Sequence, residues 1–266
     1  DAWSIILFVL GYLLLALVAL RILCVLYNIF VPYVLCGCRR DLHARAGAKW
    51  AVITGATDGI GKAYAMQLAE QNFNVFLISR TQSKLNDTMK EISTRFPSVK
   101  IMTRAFDFTA PTYEDYQPLI NELSTIKVGI LVNNVGMALD CPEVLHEVEG
   151  GRPALARIST VNTLPVLMMS SAVLEQMVTR KKGVIINVTS GTALNEMAYW
   201  NVYSAGKHLK GYVGTLHIFG PMQVETMSFL EPSPEKYVRS ALRTVGVVSE
   251  TTGYISHQIQ VRRQAI

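Results

Sequence analysis

Residues 54–61 read T-G-A-T-D-G-I-G, directly after the apolar run W-A-V-I at 50–53. A strand that ends on a glycine-rich turn and opens into a helix is an arrangement that binds a nucleotide. Gly55 permits the tight turn, Gly59 lets the backbone come close to a pyrophosphate, and Gly61 lets the helix pack on the strand. The first N–H groups of that helix have no intrahelical partner and face the phosphates. Thr57, Asp58 and Ile60 complete the turn, and with the three glycines they are assigned to cofactor binding. Any strand–turn–helix junction can use glycines, so the flanking pattern decides what the turn is for.

That pattern is an alternation. WAVIT (50–54), NVFLIS (74–79), KIMTRAF (100–106), GILVNN (129–134), GVIINV (183–188) and TLHIF (215–219) read as strands. The segments 61–71, 83–95, 113–124, 154–180 and 200–212 read as helices. Strands such as GILV and GVII are apolar throughout, as in a sheet covered on both faces. The expected fold is therefore α/β, a doubly wound parallel sheet with helices on both faces. Two stretches without clear periodicity, near 137–153 and 221–240, are expected to form long loops around a substrate.

Half of the 266 residues are hydrophobic, and the excess lies at one end. From Ala2 to Cys38 the only charged residue is Arg21. The run 2–20 is long enough to cross a bilayer as a helix, since about 20 residues suffice. A second apolar stretch, 22–38, reads as a continuation, a return leg or an interfacial segment. The expected organisation is a membrane anchor over 1–38, a basic juxtamembrane linker over 39–48 and a nucleotide-binding domain over 49–266. Arg39, Arg40, Arg45 and Lys49 follow the apolar part, which by the positive-inside tendency places the domain in the cytosol. A net charge of +5 suits an anionic membrane surface or a phosphorylated ligand and is too mild to point to nucleic acid. Cys24, Cys36, Cys38 and Cys141 form neither a disulfide framework nor a zinc spacing, and no metal site is expected.

Catalytic residue types cluster further on. Tyr203 and Lys207 are four apart and share one face of a helix. An ammonium beside a phenol favours the phenolate, so Lys207 is expected to lower the Tyr203 pKa and make it a general acid/base near neutrality. Ser190, at a strand end, can donate a hydrogen bond to a carbonyl on which negative charge grows. The second strand ends Ile78-Ser79-Arg80-Thr81. With no acid there to meet ribose hydroxyls, Arg80 suits a 2′-phosphate and points to NADPH.

These motifs together resemble the short-chain dehydrogenase/reductase family over about residues 48–258. Asn133-Asn134-Val135-Gly136 is similar to the family's N-N-A-G, Asn162 lies where the family carries a helix asparagine, and residues 203–207 match Tyr-x-x-x-Lys behind Ser190. The resemblance implies a Rossmann-like fold with an N-terminal transmembrane helix, and a catalytic set of Asn162, Ser190, Tyr203 and Lys207. It implies cofactor contacts from Asp107, Asn133, Asn134, Tyr203 and Lys207, and from Val224 and Thr226 in a Pro-x-x-Val-x-Thr loop. It also implies that Asn162 positions a water linking Lys207 to solvent.

The wording at 51–65, 77–85 and 130–136, with the apolar N-terminus, is closest to very-long-chain 3-oxoacyl-CoA reductases and 17β-hydroxysteroid dehydrogenases of types 3 and 12. That branch implies reduction of a hydrophobic ketone, an acyl-CoA or a steroid, at the endoplasmic reticulum membrane with the domain facing the cytosol. Its members continue beyond the segment around His257 with another apolar stretch and often a dilysine signal, whereas residues 258–266 here read QIQVRRQAI. A second departure is the stretch H-L-K-G-Y-V-G-T-L-H-I-F-G between Lys207 and Pro221, where the family carries about a dozen more residues, or three helical turns. Gly211 and Gly214 disfavour helix, so this helix is expected to stop near Tyr212, weakening the family's homodimer. A cut helix also keeps open a rival function, that of a poorly active NADPH-binding membrane scaffold in lipid synthesis.

Overall fold

The computed structural model describes residues 2–34, 41–109, 111–193, 199–212, 216–220, 232–248 and 250–258. The chain opens with α1 (Ala2–Val34), a continuous helix, so the apolar stretch after Arg21 extends the first one rather than returning. Residues 2–27 form a candidate membrane span with none of its surface buried against the domain. Near the end of α1 the Tyr33 hydroxyl lies 2.9 Å from Thr251 Oγ1 and 3.0 Å from Thr252 Oγ1, tying the helix to the folded domain.

The domain is built on seven parallel strands: β1 (Trp50–Thr54), β2 (Asn74–Ser79), β3 (Ile101–Ala105), β4 (Val128–Asn133), β5 (Val184–Ser190), β6 (Leu216–Gly220) and β7 (Glu250–Thr251). Their order is β3-β2-β1-β4-β5-β6-β7. The order reverses between β1 and β4, and in open α/β sheets the crevice at such a point, outside the carboxyl ends of the strands, is where ligands bind.

Successive residues of a strand face opposite layers, and the core divides accordingly. Ala51 and Ile53 of β1, with Val75, Leu77, Ile130, Val132, Ile186 and Val188, pack under α3 (Gly59–Glu70), α4 (Gln82–Arg95) and α8 (Pro234–Thr244). Val52, Phe76, Ile78, Leu131 and Ile185 face the other way, under α5 (Tyr113–Ser124) and α6 (Gly151–Arg180). A further helix, α7 (Asn201–Tyr212), lies against α6 and β5. It is described from Asn201 to Tyr212, and β6 pairs with β5 from Ile186↔Leu216 to Ser190↔Gly220. The short crossover therefore closes the sheet.

One loop expectation needs correction, and within the 39–48 linker α2 (Leu42–Ala46) is capped by Asp41, closed by Gly47 at φ 63°, and buries Leu42 and Ala46 in the core. His43 stacks on Phe73 with ring centroids 3.9 Å apart. Two buried positions in five residues carry too little periodicity to read from sequence. The proposed loop 221–240 is a helix from Pro234 onward, where Ser233 Oγ accepts from Lys236 N and Tyr237, Val238, Ala241 and Leu242 are buried. A serine before a proline at the first helical position is a start signal.

Candidate active site

The glycine turn forms as its residue types require. Gly55 has φ 66° and Gly59 φ 50°, the left-handed region that side chains with a Cβ rarely adopt. A Cβ on Gly61 would collide with the Gly55 carbonyl, so α3 can approach β1 only because position 61 is glycine. Nothing lies within 4 Å of the space above Gly59, and Asp58 caps α3 by accepting from Gly59 N at 2.8 Å. A clear glycine surface at a helix N-terminus fits a pyrophosphate. Thr57 Oγ1 lies 2.9 Å from Ser79 Oγ at the end of β2, next to exposed Arg80. Ile60 is half-buried against the core and anchors the first turn of α3.

The asparagine pair at the end of β4 divides its work. Asn134 Nδ2 donates to the carbonyls of Thr54 (3.0 Å) and Gly55 (3.2 Å), locking the glycine turn to β4. Thr54 Oγ1, which sequence reasoning overlooked, accepts from the backbone N–H groups of Asn134 and Val135 at 3.0 and 3.1 Å. Asn133 is buried and donates to Ser170 Oγ and Asn187 Oδ1, between the sheet and α6. Asp107 accepts from the N–H and hydroxyl of Thr109, which shapes its own turn after β3. Val224 and Thr226 lie outside the described residues.

The four residues expected to carry catalysis come together beside this cradle. Ser190 ends β5, is buried, and hydrogen-bonds Tyr203 from the first turn of α7. Lys207 is buried one turn later, its Nζ 5.4 Å from the Tyr203 ring centroid and its carbonyl bonded by Thr189 Oγ1 at 2.6 Å. Asn162, buried on α6, donates to the carbonyls of Met137 (2.6 Å) and Ile158 (2.9 Å). Gly136 is the meeting point: a Cβ there would sit 2.7 Å from Lys207 Nζ and 2.8 Å from Asn162 Oδ1. Gly206 plays a similar part, since a Cβ on it would lie 2.8 Å from Asn162 Cβ.

The sequence profile of short chain dehydrogenases matches residues 49–217, which include every element just described. The chain belongs to the short-chain dehydrogenase family. It is 48% identical over 270 residues to a very-long-chain 3-oxoacyl-CoA reductase of Caenorhabditis briggsae, covering 94% of this chain and 85% of that protein. A very-long-chain 3-oxoacyl-CoA reductase of Bos taurus is 38% identical over 231 residues, covering 79% of this chain and 73% of that one. A solved 7β-hydroxysteroid dehydrogenase shares the fold with a TM-score of 0.73 at 19% identity, covering 85% of this chain and 94% of that chain. Membership makes the protein an oxidoreductase that interconverts alcohols and carbonyls, with a nicotinamide cofactor.

Within this family member the electrostatics correct one expectation. Lys207 does not bring the Tyr203 pKa down. Burial raises it above the usual 10, opposed only by the hydrogen bond from Ser190. The reason is geometric, because Lys207 Nζ is directed to Gly136 and lies over the ring rather than beside the hydroxyl. Burial pushes the Lys207 ammonium down to about 8. At neutral pH the pair is thus a phenol and an ammonium, the protonation state of a proton donor. A groove of about 680 Å³ lined by Arg45, Lys181, Lys182 and Val248 is not part of this centre. It includes residues 183–185 at the start of β5, the edge of the sheet opposite Ser190.

Proposed function

We propose that the protein is a membrane-anchored, NADPH-dependent ketoreductase acting on a lipid ketone, foremost a 3-oxoacyl-CoA. The observation that carries this reading is the linked set Ser190–Tyr203–Lys207, with Lys207 and Asn162 meeting at Gly136, beside a glycine turn built for a pyrophosphate. Hydride for the carbonyl carbon is what the nicotinamide supplies when bound. Ser190 donates a hydrogen bond to the carbonyl oxygen, where negative charge accumulates. Tyr203 gives its hydroxyl proton to the same oxygen, so the C=O π bond is replaced by one C–H and one O–H bond. Lys207 holds the ribose, and its ammonium is the proton reservoir behind the phenolate left on Tyr203. Asn162 holds the 137 segment and positions a water through which solvent returns the proton to Lys207.

The two relatives named as very-long-chain 3-oxoacyl-CoA reductases support a CoA ester as substrate, ahead of a 17-ketosteroid. The bare apolar surface of residues 2–27 supports an anchor. The basic flank behind it supports a domain facing the cytosol from the endoplasmic reticulum membrane. NADPH oxidation by detergent-solubilised protein, offered a 3-oxoacyl-CoA and a 17-ketosteroid in parallel, tests the reading. Consumption of cofactor with neither ketone refutes it and leaves the scaffold role, which the short α7 favours. Arg80 stands exposed at the end of β2 with Thr57 and Ser79 beside it, and this trio is assigned to the 2′-phosphate. Arg80→Asp is expected to shift the kcat/KM ratio from NADPH towards NADH by at least about tenfold. Unchanged selectivity in steady-state kinetics assigns the phosphate to another residue.

A further inference from the structure

Lys207 is not the only lysine buried in α7. Lys210, one turn later, is 2% exposed, and its Nζ donates to the Val135 carbonyl at 2.8 Å. No described carboxylate pairs with it. A lysine is a costly choice for this place, because a buried amine must either carry an uncompensated charge or give up its proton. An apolar side chain of equal length fills the same space without that cost.

What the lysine adds is a bond to the one segment that the site depends on. Val135 lies between Asn134, which locks the glycine turn, and Gly136, against which Lys207 Nζ and Asn162 Oδ1 rest. The segment is thus held from three sides: Thr54 Oγ1 takes the Asn134 and Val135 N–H groups, Asn162 takes Met137, and Lys210 takes the Val135 carbonyl. Of these, only Lys210 comes from the helix that carries Tyr203 and Lys207. We propose that Lys210 is a positioning residue for the ketoreduction, clamping the 134–137 segment onto α7 so that Gly136 stays at the separation Lys207 and Asn162 require. The proposal rests on the ketoreductase reading above.

The surroundings give the clamp an electrostatic signature. Among the described residues, the elements packed on α7 present no charge to Lys210. β5 contains none, nor does the turn 191–193; on α6, Arg152, Arg157 and Glu175 are exposed, and Arg180 is bonded to Gln176 and Val128. On residues 201–210 of α7 the other titratable groups are Tyr203, Lys207 and His208, whose ring bonds the Ala193 carbonyl. Burial first, and the Lys207 charge second, hold the Lys210 ammonium well below its usual range. A lysine depressed in this way binds its proton less readily folded than unfolded. It costs no stability above its unfolded pKa, and the cost grows as the pH falls below that value. The charge of Lys210 therefore works against stability at neutral pH, and what the residue adds is its bond to the Val135 carbonyl.

Full-length protein in detergent, as wild type, Lys210→Met and Lys210→Gln, separates the possibilities. Melting temperature is followed between pH 6 and 9, together with kcat and KM for NADPH and a 3-oxoacyl-CoA. Lys210→Met is expected to melt at or above wild type, with a shallower fall on acidification, yet to lose about tenfold in kcat, the worth of one hydrogen bond in a positioned site. Lys210→Gln keeps an N–H donor without a titrating charge and is expected to recover part of that kcat while sharing the shallow pH dependence. A Lys210→Met protein that keeps wild-type kcat overturns the proposal. So does one that loses kcat and melting temperature together, or a Gln variant no faster than Met. A wild-type protein that reduces no ketone refutes the ketoreductase reading itself, and is recognised before any substitution is compared.

Discussion

Tyr203→Phe is expected to lower turnover by roughly a hundredfold to ten-thousandfold, the usual worth of a positioned general acid. It should leave NADPH affinity, measured by fluorescence titration, within about twofold of wild type. The ring stays half-buried with its Trp200 neighbour 5.8 Å away, so the substitution removes a hydroxyl and no packing. Ser190 keeps a partner, because Thr192 N still donates to its Oγ at 3.3 Å. The loss should therefore appear in kcat and not in the melting temperature. Activity is also expected to decline as pH rises through about 8, because that is where Lys207 loses the proton that replaces the one Tyr203 gives up. The phenol itself keeps its proton across this range, since burial holds its pKa above 10. A Tyr203→Phe protein with most of its turnover removes Tyr203 from the role of acid. A pH–rate profile flat to pH 9 removes Lys207 from its supporting one.

Much of this centre was legible in residue types at fixed spacing, because its chemistry lives in motifs that local geometry enforces. The strand–turn–helix at 50–61 forms as its glycines dictate, and Tyr203 and Lys207 share a helix face because four residues make about one turn. All six strands expected from apolar runs are present within one or two residues, since a parallel sheet covered on both faces leaves a continuous apolar signal. What was not legible depends on partners distant in sequence. Asn133 is bonded into the layer between β4, β5 and α6 through Ser170 and Asn187, neither of which is marked in the sequence as its neighbour. The pKa expectation for Tyr203 failed for a related reason. Sharing a helix face does not say where a long side chain ends, and Lys207 ends at Gly136. Nothing in the sequence singles out Lys210, and the packing of α7 on α6 and β5 buries it.

Gly136→Ala is expected to be among the more damaging single-methyl changes in the centre: roughly a hundredfold in kcat/KM, with about 1–3 kcal/mol of stability lost to overpacking. The added carbon would stand 2.7 Å from Lys207 Nζ and 2.8 Å from Asn162 Oδ1, closer than such contacts occur. Lys207 has a flexible stem and can withdraw its tip, which takes the ammonium away from Tyr203. Asn162 cannot withdraw, because its amide is bonded to the Met137 and Ile158 carbonyls. The 134–137 segment must then move instead, and it carries with it the Asn134 amide that locks the glycine turn. A shift of about 1 Å in a reacting geometry is enough to cost two orders of magnitude. Gly191→Ala is the matched control, next to Ser190 in sequence but with nothing within 4 Å of the new carbon, and it should keep near-wild-type kinetics and melting temperature. If the two variants lose activity equally, the sensitivity belongs to the strand ends in general. If Gly136→Ala retains full kcat/KM, Lys207 and Asn162 do not need the spacing that Gly136 sets.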